Sequence, residues 1–220
     1  MPIIKFCEQD SRSDEVIYST PKDLKNLLFY IFRLDKTSSD TVRKKNFGYR
    51  GPYGGCEPFY FPKEYETDPE MIYEIMMFTI NAFSSSHKIS LVKHRIVSFS
   101  AALGLLPQDL DSLGRKIALF YASYGYTAAY SVHADKYNAH IHIAVNNISY
   151  RTGNQLNISF EYNRLMAICN SFENGLLNDP DFQESRERVL YGDLKYTADV
   201  GLSAREQIRT NSKTVRDFPF

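Results

Sequence analysis

The stretch His133-Ala-Asp135-Lys136-Tyr-Asn138-Ala-His140-Ile-His142-Ile-Ala-Val-Asn146 decides how this chain is read. Three of its five histidines fall within ten residues there. From His140 onward the residues alternate as a strand does, because successive side chains leave a strand on opposite faces. His140, His142, Ala144 and Asn146 then share one face. Ile141, Ile143 and Val145, with Ile148 beyond them, point the other way, into a core. The preceding run Tyr126–His133 also reads as a strand, and the short loop Ala134–Ala139 makes the pair antiparallel. His133 therefore ends beside His140 and His142. Side chains two apart on one strand face are about 7 Å apart, so three imidazoles can converge on one divalent cation. Three neutral ligands leave such an ion its full charge and open coordination positions, which suits polarising a phosphoryl oxygen. Asp135 is placed to orient one imidazole, and Asn146 to hydrogen-bond a phosphate or base from the same face. His87 and His94 read as surface or partly buried histidines without a partner.

Outward from this pair, helix signals alternate with strand signals. Pro2–Phe6 reads as a first strand. Thr20-Pro21 is an N-cap followed by proline at the first helical position, and Leu24, Leu27, Leu28 and Ile31 follow at helical spacing. Tyr30 lies off that apolar stripe. Thr37–Phe61 is rich in Gly, Pro and Tyr and reads as a loop. Asp68-Pro69 opens a second helix, with Met71, Ile72, Ile75, Met76 and Phe78 as its apolar contacts. Lys93–Ser100 alternates as a strand. Pro107–Tyr124 is a helix whose apolar face is Leu110, Leu113, Ile117, Phe120 and Tyr124, with Gly125 as C-cap. Leu156–Ser159 reads as a short strand and Phe160–Glu173 as a last long helix. These elements predict an α+β fold, an antiparallel β-sheet covered by helices on one face with the histidine metal site on the other. Residues 1–175 form the main domain and 176–220 a helical extension of it.

The chain carries 26 basic and 26 acidic residues, so its net charge is zero. That argues against strong non-specific nucleic-acid binding. The charge is segregated, however. Residues 36–50 hold Lys36, Arg43, Lys44, Lys45 and Arg50 against Asp40, and residues 85–108 hold Lys88, Lys93 and Arg95 with no acid. With Tyr49 and Tyr53 interleaved, Lys44, Lys45 and Arg50 offer the phosphate contacts and stacking surfaces that a single strand needs, as a lid over it, and Lys93 and Arg95 add charge nearby. The three cysteines are widely spaced and read as reduced thiols. No run reaches the ~20 apolar residues of a membrane span, and the N-terminus lacks a signal-peptide core.

The pattern His133-x-Asp135-x4-His140-x-His142-x3-Asn146 resembles motif III of the mobilisation relaxases, HUH-type single-strand endonucleases. Leu28-Phe-Tyr30-Ile-Phe-Arg-Leu-Asp35-Lys36-Thr37 resembles their N-terminal motif, and His94-Arg-Ile-Val-Ser-Phe99 the strand before their long helix. The likeness spans roughly residues 1–160. It implies an HUH-like palm, Tyr30 as nucleophile, with Tyr18 the alternative among the chain's tyrosines, His133, His140 and His142 as ligands, and Mn or Mg as the ion. It also implies single-stranded DNA at a transfer origin as substrate, auxiliary DNA-binding and coupling proteins as partners, and a bacterial cytoplasm. Asn138 stands where relatives often carry a further histidine, and Ser100–Leu110 lacks their Pro-Gly-Glu. Two other functions fit the same residues: a phosphodiesterase using metal-activated water, and a DNA-binding accessory that has lost catalysis.

Overall fold

β5 (His140–Asn146) is the middle strand of the antiparallel sheet. In this computed structural model the described residues are 2–7, 18–33, 53–58, 65–83, 90–100, 103, 105–133 and 139–178. Among them the sheet has five strands: β1 (Ile3–Phe6), β2 (Gly54–Glu57), β3 (Val92–Ser98), β4 (Ala128–His133) and β5, in the order β1-β3-β5-β4-β2. Every neighbouring pair is antiparallel. The helices are α1 (Pro21–Ile31), α2 (Pro69–Phe83), α3 (Pro107–Ser123) and α4 (Glu161–Leu177). The chain divides into two units, Met1–Glu173 and Asn174–Phe220. The first holds the sheet. In the second, the described residues include the end of α4, where Asn178 Nδ2 donates to Asn174 O at 2.7 Å.

The register fixes which side chains share a face. His133 pairs with His140, Ser131 with His142 and Ala129 with Ala144. On the other flank of β5, Ser98 pairs with His140, Ile96 with His142 and His94 with Ala144. Directly paired residues point the same way, so the three clustered histidines and His94 lie on one face. The opposite face carries Ile141, Ile143, Tyr130 and Val97, all buried. α3 and α4 cover it. α3 approaches closely because Gly114 has no side chain: a Cβ there would lie 2.3 Å from Tyr130 Cδ2. α4 is tied down by Glu161, whose carboxylate accepts from Arg95 Nε at 2.9 Å and from the Tyr121 hydroxyl at 2.6 Å.

The α+β sheet with a histidine face is as expected, and that face is not bare. α1 and α2 pack over part of it. Leu24, Leu27, Leu28 and Ile31 of α1 and Ile72, Met76 and Ile80 of α2 form one core with Cys56, Val92, Ala129, Ala144 and Ile148. The two alanines leave room for the helices to sit close. Ile148 belongs to this core and not to the opposite one, as its even spacing from His140 requires. α1 begins with a reciprocal capping box: Asp23 N donates to Thr20 Oγ1 at 3.1 Å, and Thr20 N to Asp23 Oδ2 at 3.0 Å.

Several sequence expectations need correction. The stretch expected as loop contains β2, which pairs with β4 as an edge strand. α2 buries Ile72, Met76, Thr79 and Ile80, while Phe78 is exposed. α3 buries Tyr121 where Phe120 and Tyr124 were expected. The segment Leu156–Ser159 forms no strand; a single bridge joins Ile148 to Gln155. No helix among the described residues is long and apolar enough to cross a membrane.

Candidate metal centre

His133 ends β4, and His140 and His142 begin β5, so ladder pairing alone brings them together. Each offers one nitrogen, and the three nitrogens lie within 4.8 Å of one another. The ring centroids of His133 and His142 are 4.3 Å apart, and those of His140 and His142 4.9 Å. His133 and His142 are buried, while His140 is half-buried at the rim.

Two of the rings are held from outside the cluster. His133 Nε2 lies 2.7 Å from Ile31 O. A carbonyl can only accept, so this nitrogen carries the proton and Nδ1 keeps its lone pair. Ile31 ends α1, where carbonyls lack an intrahelical partner, and the histidine supplies one. His142 Nδ1 lies 2.8 Å from His94 Nε2. Its Nε2 is then directed at His140 Nε2, 3.1 Å away. Two nitrogens each about 2.1 Å from one ion, and roughly a right angle apart, would be about 3 Å from each other. The donor set and its spacing thus fit a divalent cation.

Burial favours the neutral form of His142 and His94. His142 is pushed far below the usual histidine range by burial, then by its neighbours His133, His94 and His140 and by Arg33. His94 is lowered to about 4 by burial, with Arg95, His133 and Lys5 acting in the same direction. Neutral imidazoles are the form that ligates metal.

Tyr30, near the end of α1, packs on the cluster. Its ring centroid is 5.4 Å from that of His142 and 6.0 Å from that of His133. It is 43 % exposed, as its off-stripe position led one to expect. The Arg33 guanidinium lies over its ring, 4.3 Å from the centroid. A cavity of about 470 Å³ beside the cluster is lined by Tyr30, Tyr18, His94, Asp23, Asn26 and Cys7, among others.

The other expected site residues fall elsewhere. Asn146 is on the histidine face but beneath α2: its Nδ2 donates to Met76 O at 3.0 Å and its Oδ1 accepts from Ile148 N at 3.1 Å. It ties α2 to the sheet and does not reach the cluster. Arg95 points to the opposite face, 4 % exposed, paired with Glu161 and stacked over Phe6 at 4.1 Å. It is a buried structural ion pair, not a strand contact. Lys93 shares that face by register. Tyr53 pairs through its backbone with Val132 at 2.9 Å. Its hydroxyl is raised by burial and by Asp111 and Asp109, which places it toward α3. Asp135, Lys44, Lys45, Tyr49 and Arg50 lie outside the described residues. Sequence reading missed the parts played by His94 and Arg33, and weighed Tyr18 only as an alternative nucleophile. For His94 the signal was present: its place in an alternating strand beside a histidine-bearing one.

A sheet face carrying three convergent imidazoles, with a tyrosine-bearing helix laid against it, defines the palm of an HUH-type nuclease. Residues 59–175 match the relaxase family, described as MobA/VirD2-like, nuclease domain, and the chain belongs to that family. The matched segment contains His94 and all three clustered histidines; Tyr30 precedes it. No curated protein matches the chain.

Proposed function

We propose that this protein nicks and rejoins one DNA strand at a transfer origin, through covalent attack by Tyr30, in mobilisation of a plasmid or integrative element. The observation that carries the reading is the packing of the exposed Tyr30 ring against two of the three clustered imidazoles. A tyrosine hydroxyl titrates near 10, so attack at neutral pH needs positive charge nearby. A divalent ion held by His133, His140 and His142 would supply that charge and withdraw electron density from the scissile phosphate. Arg33, over the Tyr30 ring, adds a second positive charge. An all-imidazole donor set favours a transition ion such as manganese over magnesium, which prefers oxygen ligands.

In the proposed step the Tyr30 oxygen bonds to phosphorus as the P–O3′ bond breaks. The phenolic proton is lost to solvent, and the departing 3′ oxygen takes up a proton. The 5′-phosphotyrosyl ester conserves the phosphodiester, so attack by a 3′-hydroxyl reverses the step without ATP. Strand binding by Lys44, Lys45, Tyr49 and Arg50 rests on their chemistry, basic groups for phosphates and aromatic rings for bases. Auxiliary DNA-binding and coupling proteins, and a bacterial cytoplasm, belong to the same reading.

The test is a denaturing gel of the protein incubated with Mn²⁺ and single-stranded oligonucleotides tiled across the DNA flanking its gene. A covalent adduct is expected for the wild type and none for Tyr30→Phe. Cleavage that survives Tyr30→Phe without an adduct assigns the chemistry to activated water. Binding with neither cleavage nor adduct makes the protein a non-catalytic accessory.

A further inference from the structure

We propose that His94 and Tyr18 are positioning residues of the cation site: His94 holds the His142 ring with Nε2 toward the ion, and Tyr18 holds His94. The proposal rests on reading His133, His140 and His142 as the ligands. His94 reaches the site from β3, diagonally across the ladder, because it pairs with Ala144, two residues beyond His142. The two rings are almost parallel, 19° apart with centroids 5.1 Å from each other. Behind His94, the Tyr18 hydroxyl lies 3.3 Å from Nδ1, and the rings meet edge-on at 74°. Tyr18 is itself anchored, since Leu91 N donates to its carbonyl at 2.7 Å. The chain of contacts thus runs from the segment before α1, through β3, to the ligand on β5.

Proton bookkeeping gives the chain a direction. A neutral imidazole carries one N–H and one lone pair. If Nε2 of His142 gives its lone pair to an ion, Nδ1 must carry the hydrogen and donate to His94 Nε2. His94 Nε2 then holds a lone pair, so its hydrogen sits on Nδ1 and donates to the Tyr18 oxygen. The Tyr18 proton must then donate elsewhere than to His94. Each link fixes the tautomer of the next, and the ion selects one of the two possible senses. Outer partners of ligating histidines are commonly carboxylates or carbonyls. A neutral imidazole in that role orients the ligand without adding negative charge, so the ion keeps more of its polarising power.

The test measures Mn²⁺ affinity of the full chain by titration calorimetry, with thermal midpoints to confirm folding. His94→Val removes the acceptor for His142 Nδ1–H and is expected to weaken binding roughly 10- to 100-fold. His94→Gln offers an amide oxygen as acceptor and is expected to recover most of the loss. Tyr18→Phe is expected to weaken binding less than His94→Val. A second readout needs no variant: in the Zn²⁺-loaded, ¹⁵N-histidine-labelled wild type, the His142 resonances should report hydrogen on Nδ1. Unchanged Mn²⁺ affinity in His94→Val, while His142→Ala loses binding, overturns this proposal and leaves the ligand assignment standing. His142 hydrogen on Nε2 in the loaded protein does the same. A wild-type chain that binds no cation overturns both.

Discussion

Asp111, in the second turn of α3, sits where a carboxylate is poorly served. Burial raises its carboxyl to about 6, against hydrogen bonding from Tyr130; Glu66 pushes it further up, while Arg115 and the Gly54 N–H pull it down. Its Oδ1 is buried without a hydrogen-bond partner among the described residues. The folded state therefore binds a proton more tightly than the unfolded chain, whose aspartate titrates near 3.8. Linkage then gives the sign: this group's favourable contribution is full below that value and is lost as pH rises through about 6. Asp111→Asn should raise the thermal midpoint at pH 7.5, with the gain vanishing by pH 4; an equal gain at both values contradicts the burial account. Phe160 is strained in another way. It stands just before α4 with φ of 58°, a left-handed conformation, and is 75 % exposed. That backbone costs an ordinary residue about 1–2 kcal/mol, whereas asparagine visits it routinely. Phe160→Asn should therefore raise the thermal midpoint by roughly 2–4 °C. Neither feature can be read from the sequence, because each depends on what folds around it. The same holds for His94, whose partners His142 and Tyr18 lie 48 and 76 positions away. The clustered histidines were legible because one hairpin brings them together.

Elements were legible where local chemistry sets them. α1 has its cap, its proline and its stripe within the eleven residues of the helix and the one before it. β2 has two glycines and no alternation, and exists because β4 offers it a ladder. α2 is apolar on so many sides that periodicity could not choose between Phe78 and Thr79, and the sheet chose. In α3, Gly114 looks like a weak helical residue, yet it is where Tyr130 fits. Alanine there gains about 1 kcal/mol of helix propensity. It also meets the Tyr130 ring at 2.3 Å, and overpacking of this kind costs typically 1–3 kcal/mol. Tyr130 is buried between helix and sheet with little room to yield, so Gly114→Ala is expected to lower the urea midpoint. A midpoint at or above wild type would mean that the ring gives way. Thr20→Ala is expected to cost about 1 kcal/mol through the lost cap. Because α1 delivers both Tyr30 and the Ile31 carbonyl that holds His133, that loss should also weaken Mn²⁺ binding, without touching a ligand.

At the scale of the whole folded unit, the proposed cation site joins segments far apart in sequence. β4 and β5 supply the three clustered histidines, α1 holds His133 through Ile31 O, and β3 holds His142 through His94. The unfolded chain has no such convergence, because only the β4–β5 ladder sets His133 beside His140 and His142. A ligand that binds only the folded state stabilises it by an amount that grows with the logarithm of its concentration, about 2.7 kcal/mol at a hundred times the dissociation constant. Mn²⁺ added to chelator-stripped protein should therefore raise the thermal midpoint progressively, with no plateau once the site is filled. Mg²⁺ should raise it less at equal concentration, because three imidazole nitrogens suit it poorly. His140→Ala is the sharpest control. His140 is half-buried at the rim, so its loss leaves the core intact and should hold the midpoint near wild type without metal. Its Mn²⁺-dependent rise should nearly disappear. If His140→Ala responds to Mn²⁺ as the wild type does, the ion sits elsewhere and the three histidines are not its ligands.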